Sequence, residues 1–260
     1  MTDKIITVAD GFWNIRGSFR IKGLIDVGTQ VSLVRLASGK FVFLDSYSLD
    51  RATMRRVVKL TGGEENVEAI LNVHPFHTVH VERMHELFPQ AALHGTARHR
   101  SRFPSLPWSK ANCEDSVLHR RYAGDFEFSV PRGVDFISDN EDVHFSSVLV
   151  CHPESGTLHV DDTLVYLRLP GALRALGLGD SVSFHPTLAS ALEQRAGAAE
   201  DFHDWASEQI ERWRGAENLG AAHTAALLAR DNPGATLHER LLKALDKTGR
   251  TLEQHRRRYG

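Results

Sequence analysis

The chain has 260 residues, two cysteines and a formal net charge of −2. That length buries ample core, the two cysteines, neither in a CxxC pair, exclude a disulfide framework, and the near-neutral balance gives no reason to expect nucleic acid as a partner. The opening "MTDKIITVADGFW" has no apolar signal region and no apolar run reaches spanning length, so a cytoplasmic protein without a membrane partner is expected.

In chain order, "KIITV" and "FWNIRGSFRI" alternate apolar and polar residues and read as strands. "VSLVRLASGKFVFLDS" predicts a hairpin turning at Ala37-Ser38-Gly39-Lys40, its second strand ending at Asp45. Ser48 or Asp50 caps a helix through "RATMRRVVKLTGG", and Gly62 and Gly63 stop it. "VEAILNV" is the next strand; Pro75 lacks a backbone donor and ends it. "TVHVERMHELF" has helical spacing, with Val81, Met84 and Phe88 toward a core, and "AALHG" is a short strand. "SRFPSLPWSK" reads as loop, followed by strands at "FEFSV" and "VDFIS". "SSVLVC" and "GTLHV" are strands joined at "HPES", the second ending at Asp161 and Asp162, which alternation sends to opposite faces. From about residue 186 the spacing is helical, in "TLASALEQRAGAA", "DFHDWASEQIERWRG" and a terminal "LHERLLKALDKTGRTLEQHRRR", with one strand at "NLGAAH" between. No repeat or linker divides the chain, so a single domain over 1–260 is expected, about 186–260 mostly helical.

Histidine is the outlier: fifteen are present, and His74, His77 and His80 recur every third residue behind an apolar strand. A zinc or iron site needs three or more imidazole nitrogens and carboxylate oxygens converging on one point, and strand ends are where a sheet fixes such geometry. His74 and His77 follow a strand, His144 precedes one, and Asp162 and His223 each follow one. His80 assists if the loop turns helical, because i and i+3 share a face. His85, His94, His99, His119, His185, His203, His238 and His255 read as surface or satisfied core residues, and His152 and His159 stand little closer to a ligand role.

This ordered set resembles the metallo-β-lactamase fold superfamily. "SLVRLASGKFVFLDS" is similar to the family's early hairpin ending in an aspartate, here Asp45. "ILNVHPFH" sits where the family carries its His-x-His-x-Asp-His loop, "VHFSSVLV" looks like the segment with the next histidine, "GTLHVDDTLVYL" like the strand ending in the metal-bridging aspartate, and "LGAAHTAAL" like the strand ending in the last histidine. The resemblance implies an α/β four-layer αββα sandwich with a helical C-terminal end and a metal site at one edge of two sheets. It places the motif at Asn72-Val73-His74-Pro75-Phe76-His77, so Asn72 and Phe76 stand where the family has a histidine and an aspartate. A shifted register would use His77 and His80 instead, with Pro75 and Val79 at the missing positions.

With those two ligands replaced, the implied set is His74, His77, His144, Asp162 and His223, enough for one divalent metal ion, zinc or iron. The implied function is a hydrolase in which metal-bound water attacks an ester, thioester, lactam or phosphoester, with Asp162 and His80 in catalytic roles and Asp161 beside them. A small-molecule substrate is expected, and Arg98, Arg100, Arg102 and Lys110 are loop cations that would favour an acidic one. A homodimer through the helical end is compatible with the sequence. Asp45 reads as a structural strand-end residue. Two rivals stand beside the hydrolase: a non-catalytic binding or scaffold member of the same fold, which Asn72 and Phe76 favour, and a non-haem iron redox protein.

Overall fold

The computed structural model describes residues 3–18, 20–21, 25–26, 28–169, 179–222, 225–232 and 234–260. Strands β1 (Lys4–Ala9) and β2 (Phe12–Gly17) form a hairpin, and a short ribbon, β3 (Arg20–Ile21) with β4 (Ile25–Asp26), follows. β5 (Thr29–Arg35) and β6 (Phe41–Leu44) form the expected second hairpin, with Gly39 at φ 82° in its turn. Helix α1 (Arg51–Thr61) starts where the Asp50 carboxylate accepts the Thr53 amide at 2.6 Å and stops at left-handed Gly62. It crosses over to β7 (Val67–Leu71), and α2 (Val81–Leu87) crosses over to β8 (Ala92–His94). The six-stranded sheet has the order β1-β2-β5-β6-β7-β8, with β6, β7 and β8 parallel.

Two short helices, α3 (Ala97–Arg102) and α4 (Ser116–Arg121), lead to β9 (Glu127–Ser129). β10 (Leu149–His152) and β11 (Thr157–His159) follow; β12 (Leu164–Leu167) pairs with β13 (Ser181–Phe184) in a separate ribbon. After α5 (Leu188–Ala191) and α6 (Ala198–Arg212) come β14 (Asn218–Gly220) and β15 (Ala226–Leu227), completing a second sheet of order β15-β14-β11-β10-β9. α7 (Leu237–Asp246) and α8 (Gly249–Tyr259) end the chain. Among the described residues no helix is long and apolar enough to cross a membrane.

Strand alternation builds the layers, because neighbours along a strand face opposite sides. Leu33, Phe43 and Ile70 pack outward under α1 and α2, against Val57, Met84 and Phe88. Their neighbours Val34, Val42 and Leu71 pack inward against Val150, Phe128 and Ala226 of the second sheet. On that sheet's far face Leu149, Leu158 and Leu219 pack under α6 and α7, against Phe202, Trp205 and Leu241. The result is helices, sheet, sheet, helices: the four-layer αββα sandwich.

Several local expectations are corrected. "VDFIS" is not a strand: Gly133, at φ 69° and packed on the first turn of α6, turns the chain out of the sheet, and Val134 makes only an isolated bridge to Leu192. The terminal helix is two helices, because the Thr248 amide and hydroxyl both close on the Leu245 carbonyl, at 2.9 and 2.7 Å. "TLASALEQRAGAA" is helical only over Leu188–Ala191 and again from Ala198. The loop read at 101–110 begins inside α3, and α4 was not foreseen.

Candidate metal centre

The parallel strands β6 and β7 deliver their C-terminal ends side by side, at Asp45 and at the loop from Asn72 to His77. β11 and β14 deliver Asp161, Asp162 and the carbonyls of Ala221 and Ala222 to the same edge of the other sheet. Asp45 adopts φ 69°, the only positive value among described non-glycine residues. That backbone turns its carboxylate back over the loop. Oδ1 accepts the amides of Val73 (2.8 Å) and His74 (3.4 Å), and Oδ2 lies 3.0 Å from His77 Nδ1.

His74, His77 and Asp162 converge. The two imidazoles stack with centroids 4.0 Å apart, and Asp162 Oδ2 lies 3.5 Å from Nε2 of each. A charge-assisted hydrogen bond would draw such atoms to about 2.7–2.9 Å. Ligands of one tetrahedral ion, each about 2.0–2.2 Å from it, lie roughly 3.3–3.5 Å apart. His74 Nε2 is also buried with no hydrogen-bond partner. Spacing and orphaned nitrogen together fit one metal ion. For His77 the Asp45 contact would keep the proton on Nδ1 and give up Nε2 to an ion. In His74, Nδ1 accepts the Phe76 amide at 3.1 Å, so holding an ion through Nε2 would need the proton on Nδ1 and the Phe76 amide turned away.

A second group, Asp45, His77 and Asp161, shares His77 through its other nitrogen, with Asp161 Oδ1 at 3.8 Å from Nδ1. The 3.0 Å Asp45 contact makes these carboxylates orienting partners of the imidazole. Asp161 and Asp162 therefore do not part to opposite faces as alternation implied: β11 ends at His159, so the period of two no longer governs them, and they approach the two nitrogens of one ring.

The electrostatics follow from burying three carboxylates together. Burial, then neighbouring Asp161, pushes the Asp45 carboxyl up to about 6, and His77 offsets only part of this. Burial alone would also raise Asp161, but the imidazoles of His159, His77 and His74 outweigh it and hold its carboxyl below the usual range. Burial opposes charge on His77 as well, yet Asp162, Asp45 and Asp161 raise it well above an ordinary histidine. Burial and the adjacent His77 lower His74 to about 3.

The other expected residues that are described do not place a ligand atom in this group; His144 comes nearest, its ring centroid 6.3 Å from that of His74. His144 stacks on Phe76, centroids 4.7 Å apart, and its Nε2 is 2.6 Å from the Glu141 carbonyl. The Arg98 guanidinium packs on the same Phe76 ring at 4.3 Å and pairs with Glu141 at 2.5 Å. Phe76 is thus held in an aromatic and cationic clasp. Asn72 is buried and tied down, donating to the His94 carbonyl at 2.9 Å and accepting from the Ser46 hydroxyl at 2.6 Å. His80 begins α2, with Nδ1 2.9 Å from Ser48 Oγ and its ring edge on Tyr47. His223 lies outside the described residues. The sequence reading missed His159, fully buried with Nδ1 at 2.9 Å from Ser32 Oγ and Nε2 at 3.7 Å from Asp161. Its signal was the pair Gln30 and Ser32, polar residues at alternate positions among Val31, Leu33 and Val34.

No family model and no curated protein matches the sequence. Solved structures match across nearly its whole length. The metallo-β-lactamase FIM-1 from Pseudomonas aeruginosa, in a mono-zinc form, superposes with TM-score 0.57 at 12% identity, covering 95% of this chain and 96% of that one. The DIM-1 metallo-β-lactamase gives 0.59 at 16%, covering 96% and 99%. A metallo-β-lactamase from Erythrobacter litoralis gives 0.59 at 13%, covering 94% and 96%.

Proposed function

This chain has the metallo-β-lactamase fold, and on that footing we propose that it is a metal-dependent hydrolase holding one divalent ion, zinc or iron(II), at His74, His77 and Asp162. The observation that carries the reading is the pair of 3.5 Å separations from Asp162 Oδ2 to two imidazole nitrogens, one of them buried without a partner. Three protein ligands leave a coordination position open, as a catalytic metal requires. When bound, such an ion supplies a water acidified toward neutrality and polarises the substrate oxygen that gains charge. The substrate class is a small ester, thioester, lactam or phosphoester.

The chain's own residues divide the remaining work. Asp45 fixes the His77 tautomer and aims Nε2 inward. Asp162 would bring the negative charge that a divalent ion needs, and an ion at Nε2 would take the place of the proton that the surrounding carboxylates favour on His77. His80 stays outside the ligand set: burial, then His77, lowers it, and its bond to Ser48 holds the ring in place as a candidate proton shuttle. The Phe76 clasp occupies the place of a second-metal ligand, which is why one ion rather than two is proposed.

The same clasp, with Asn72 tied into the backbone, favours a second reading, a non-catalytic member that keeps the fold and binds without turnover. One set of measurements separates them. Metal content of the purified chain should be about one ion, chelation should lower the melting temperature, and generic esters, thioesters or phosphodiesters should turn over and cease to do so in His77→Ala. One metal without turnover supports the scaffold; two tightly held ions or none would sink the mononuclear site.

A further inference from the structure

The inner face of the first sheet is largely apolar, but not beside the metal centre. There β2 and β5 present two cross-strand pairs, Asn14 opposite Ser32 and Arg16 opposite Gln30. Asn14, Gln30 and Ser32 are buried. Unsatisfied, such groups would each cost about 1–3 kcal/mol. They are satisfied by one another: Asn14 Nδ2 donates to Gln30 Oε1 at 2.8 Å and to Ser32 Oγ at 3.1 Å, and Arg16 Nη1 donates to Gln30 Oε1 at 3.2 Å.

The far side of this ladder lands on the second sheet, at the ends of β11 and β14. Gln30 Nε2 donates to the carbonyls of Val160 (2.8 Å) and Gly220 (3.2 Å) and to Asp161 Oδ1 (3.3 Å). Arg16 donates to the carbonyls of Ala221 (2.6 Å) and Ala222 (3.4 Å). Ser32 meets His159. The sheets approach closely enough that a Cβ on Gly220 would lie 3.2 Å from Gln30 Oε1 and 3.3 Å from Asn14 Nδ2.

The candidate ligands come from both sheets, His74 and His77 after β7 and Asp162 after β11. Apolar packing is non-directional and cannot set the distance between two sheets to the tolerance a coordination sphere demands. Hydrogen bonds from one sheet to named carbonyls of the other can. We propose that Arg16 and Gln30 are positioning residues of the metal centre, docking the Asp161–Asp162 end of the second sheet at the spacing that sets Asp162 against His74 and His77. This rests on the metal-site reading above.

Cobalt(II) titration of the full chain tests it, reading affinity and visible spectrum, beside the metal-free melting temperature. Arg16→Met should weaken cobalt binding about 10- to 100-fold, as loss of an orienting partner does, and should alter the spectrum; Arg16→Lys should recover part of both. Gln30→Leu, close in volume and neutral, should weaken binding alike and decides the matter if Arg16→Met fails to fold. Wild-type affinity and spectrum in Arg16→Met and Gln30→Leu, whatever their melting temperatures, would overturn the proposal and leave the metal site standing. A wild-type chain that takes up no cobalt overturns both.

Discussion

Asp45 illustrates how much one residue carries at this edge. A single buried carboxylate accepts two loop amides, orients His77 and adopts a left-handed backbone to do so. These duties separate by substitution. Asp45→Asn tolerates the positive φ and keeps an acceptor oxygen, but it removes the negative charge that fixes the His77 tautomer. It should fold with a modest loss of stability and bind metal about 10-fold more weakly. Asp45→Ala also strands the Val73 and His74 amides, and should cost about 2–3 kcal/mol more. Urea denaturation and chelator competition on both variants measure the two effects apart; equal metal affinity in wild type and Asp45→Asn would refute the orienting role.

Elements place these residues by how they end. β7 stops at Leu71, before Pro75; β11 stops at His159, so two successive aspartates reach one imidazole; α1 stops at a left-handed glycine. The same logic governs the junction of β9 and α6. Gly133 sits at φ 69°, and a Cβ there would lie 2.1 Å from the Ala198 carbonyl oxygen and 2.8 Å from the Phe202 amide. Both neighbours are backbone and cannot swing aside. Gly133→Ala should therefore destabilise the chain by more than about 2 kcal/mol, read as a lower urea midpoint. A change within about 0.5 kcal/mol would show that α6 can slide away.

For the whole molecule, the concentration of histidines in the interior sets a pH response. His99 is fully buried between the Thr96 hydroxyl at 3.0 Å and the His77 carbonyl at 3.3 Å. Burial lowers it to about 4, against an unfolded value near 6.5. As pH falls from about 6.5 to about 4, the unfolded chain therefore gains a proton that the folded chain refuses. The stability contributed by neutral His99 is complete above that window and is lost within it. His99→Gln lacks this titration, so wild type should lose up to about 3 kcal/mol relative to the variant between pH 7 and pH 4. Denaturation midpoints of the two proteins across that range measure it; parallel curves would show that His99 is not held neutral.

The sequence by itself determined the elements with strong local signals. The hairpin at Ala37–Lys40, the cap and stop of α1, the apolar stripe Val81, Met84 and Phe88, and the turn at Pro153 are all written in neighbouring residues, and the order of strands with their terminal histidines and aspartates pointed to this fold. Local signals failed where tertiary contact overrode them. "VDFIS" alternates like a strand but has no sheet edge to join, and the terminal helical spacing runs straight through the Thr248 break. Convergence of side chains was beyond sequence altogether. Spacing could not choose between His77 with His74 and His77 with His80; in the folded chain the first pair stacks 4.0 Å apart while His80 bonds Ser48. Nor could it foresee that Asn14, Arg16, Gln30 and Ser32, ordinary polar residues on two strands, would face Asp161 and the end of β14 across the sandwich. A strand's periodicity states which face a residue takes. What that face meets is decided only when a second sheet, distant in sequence, closes over it.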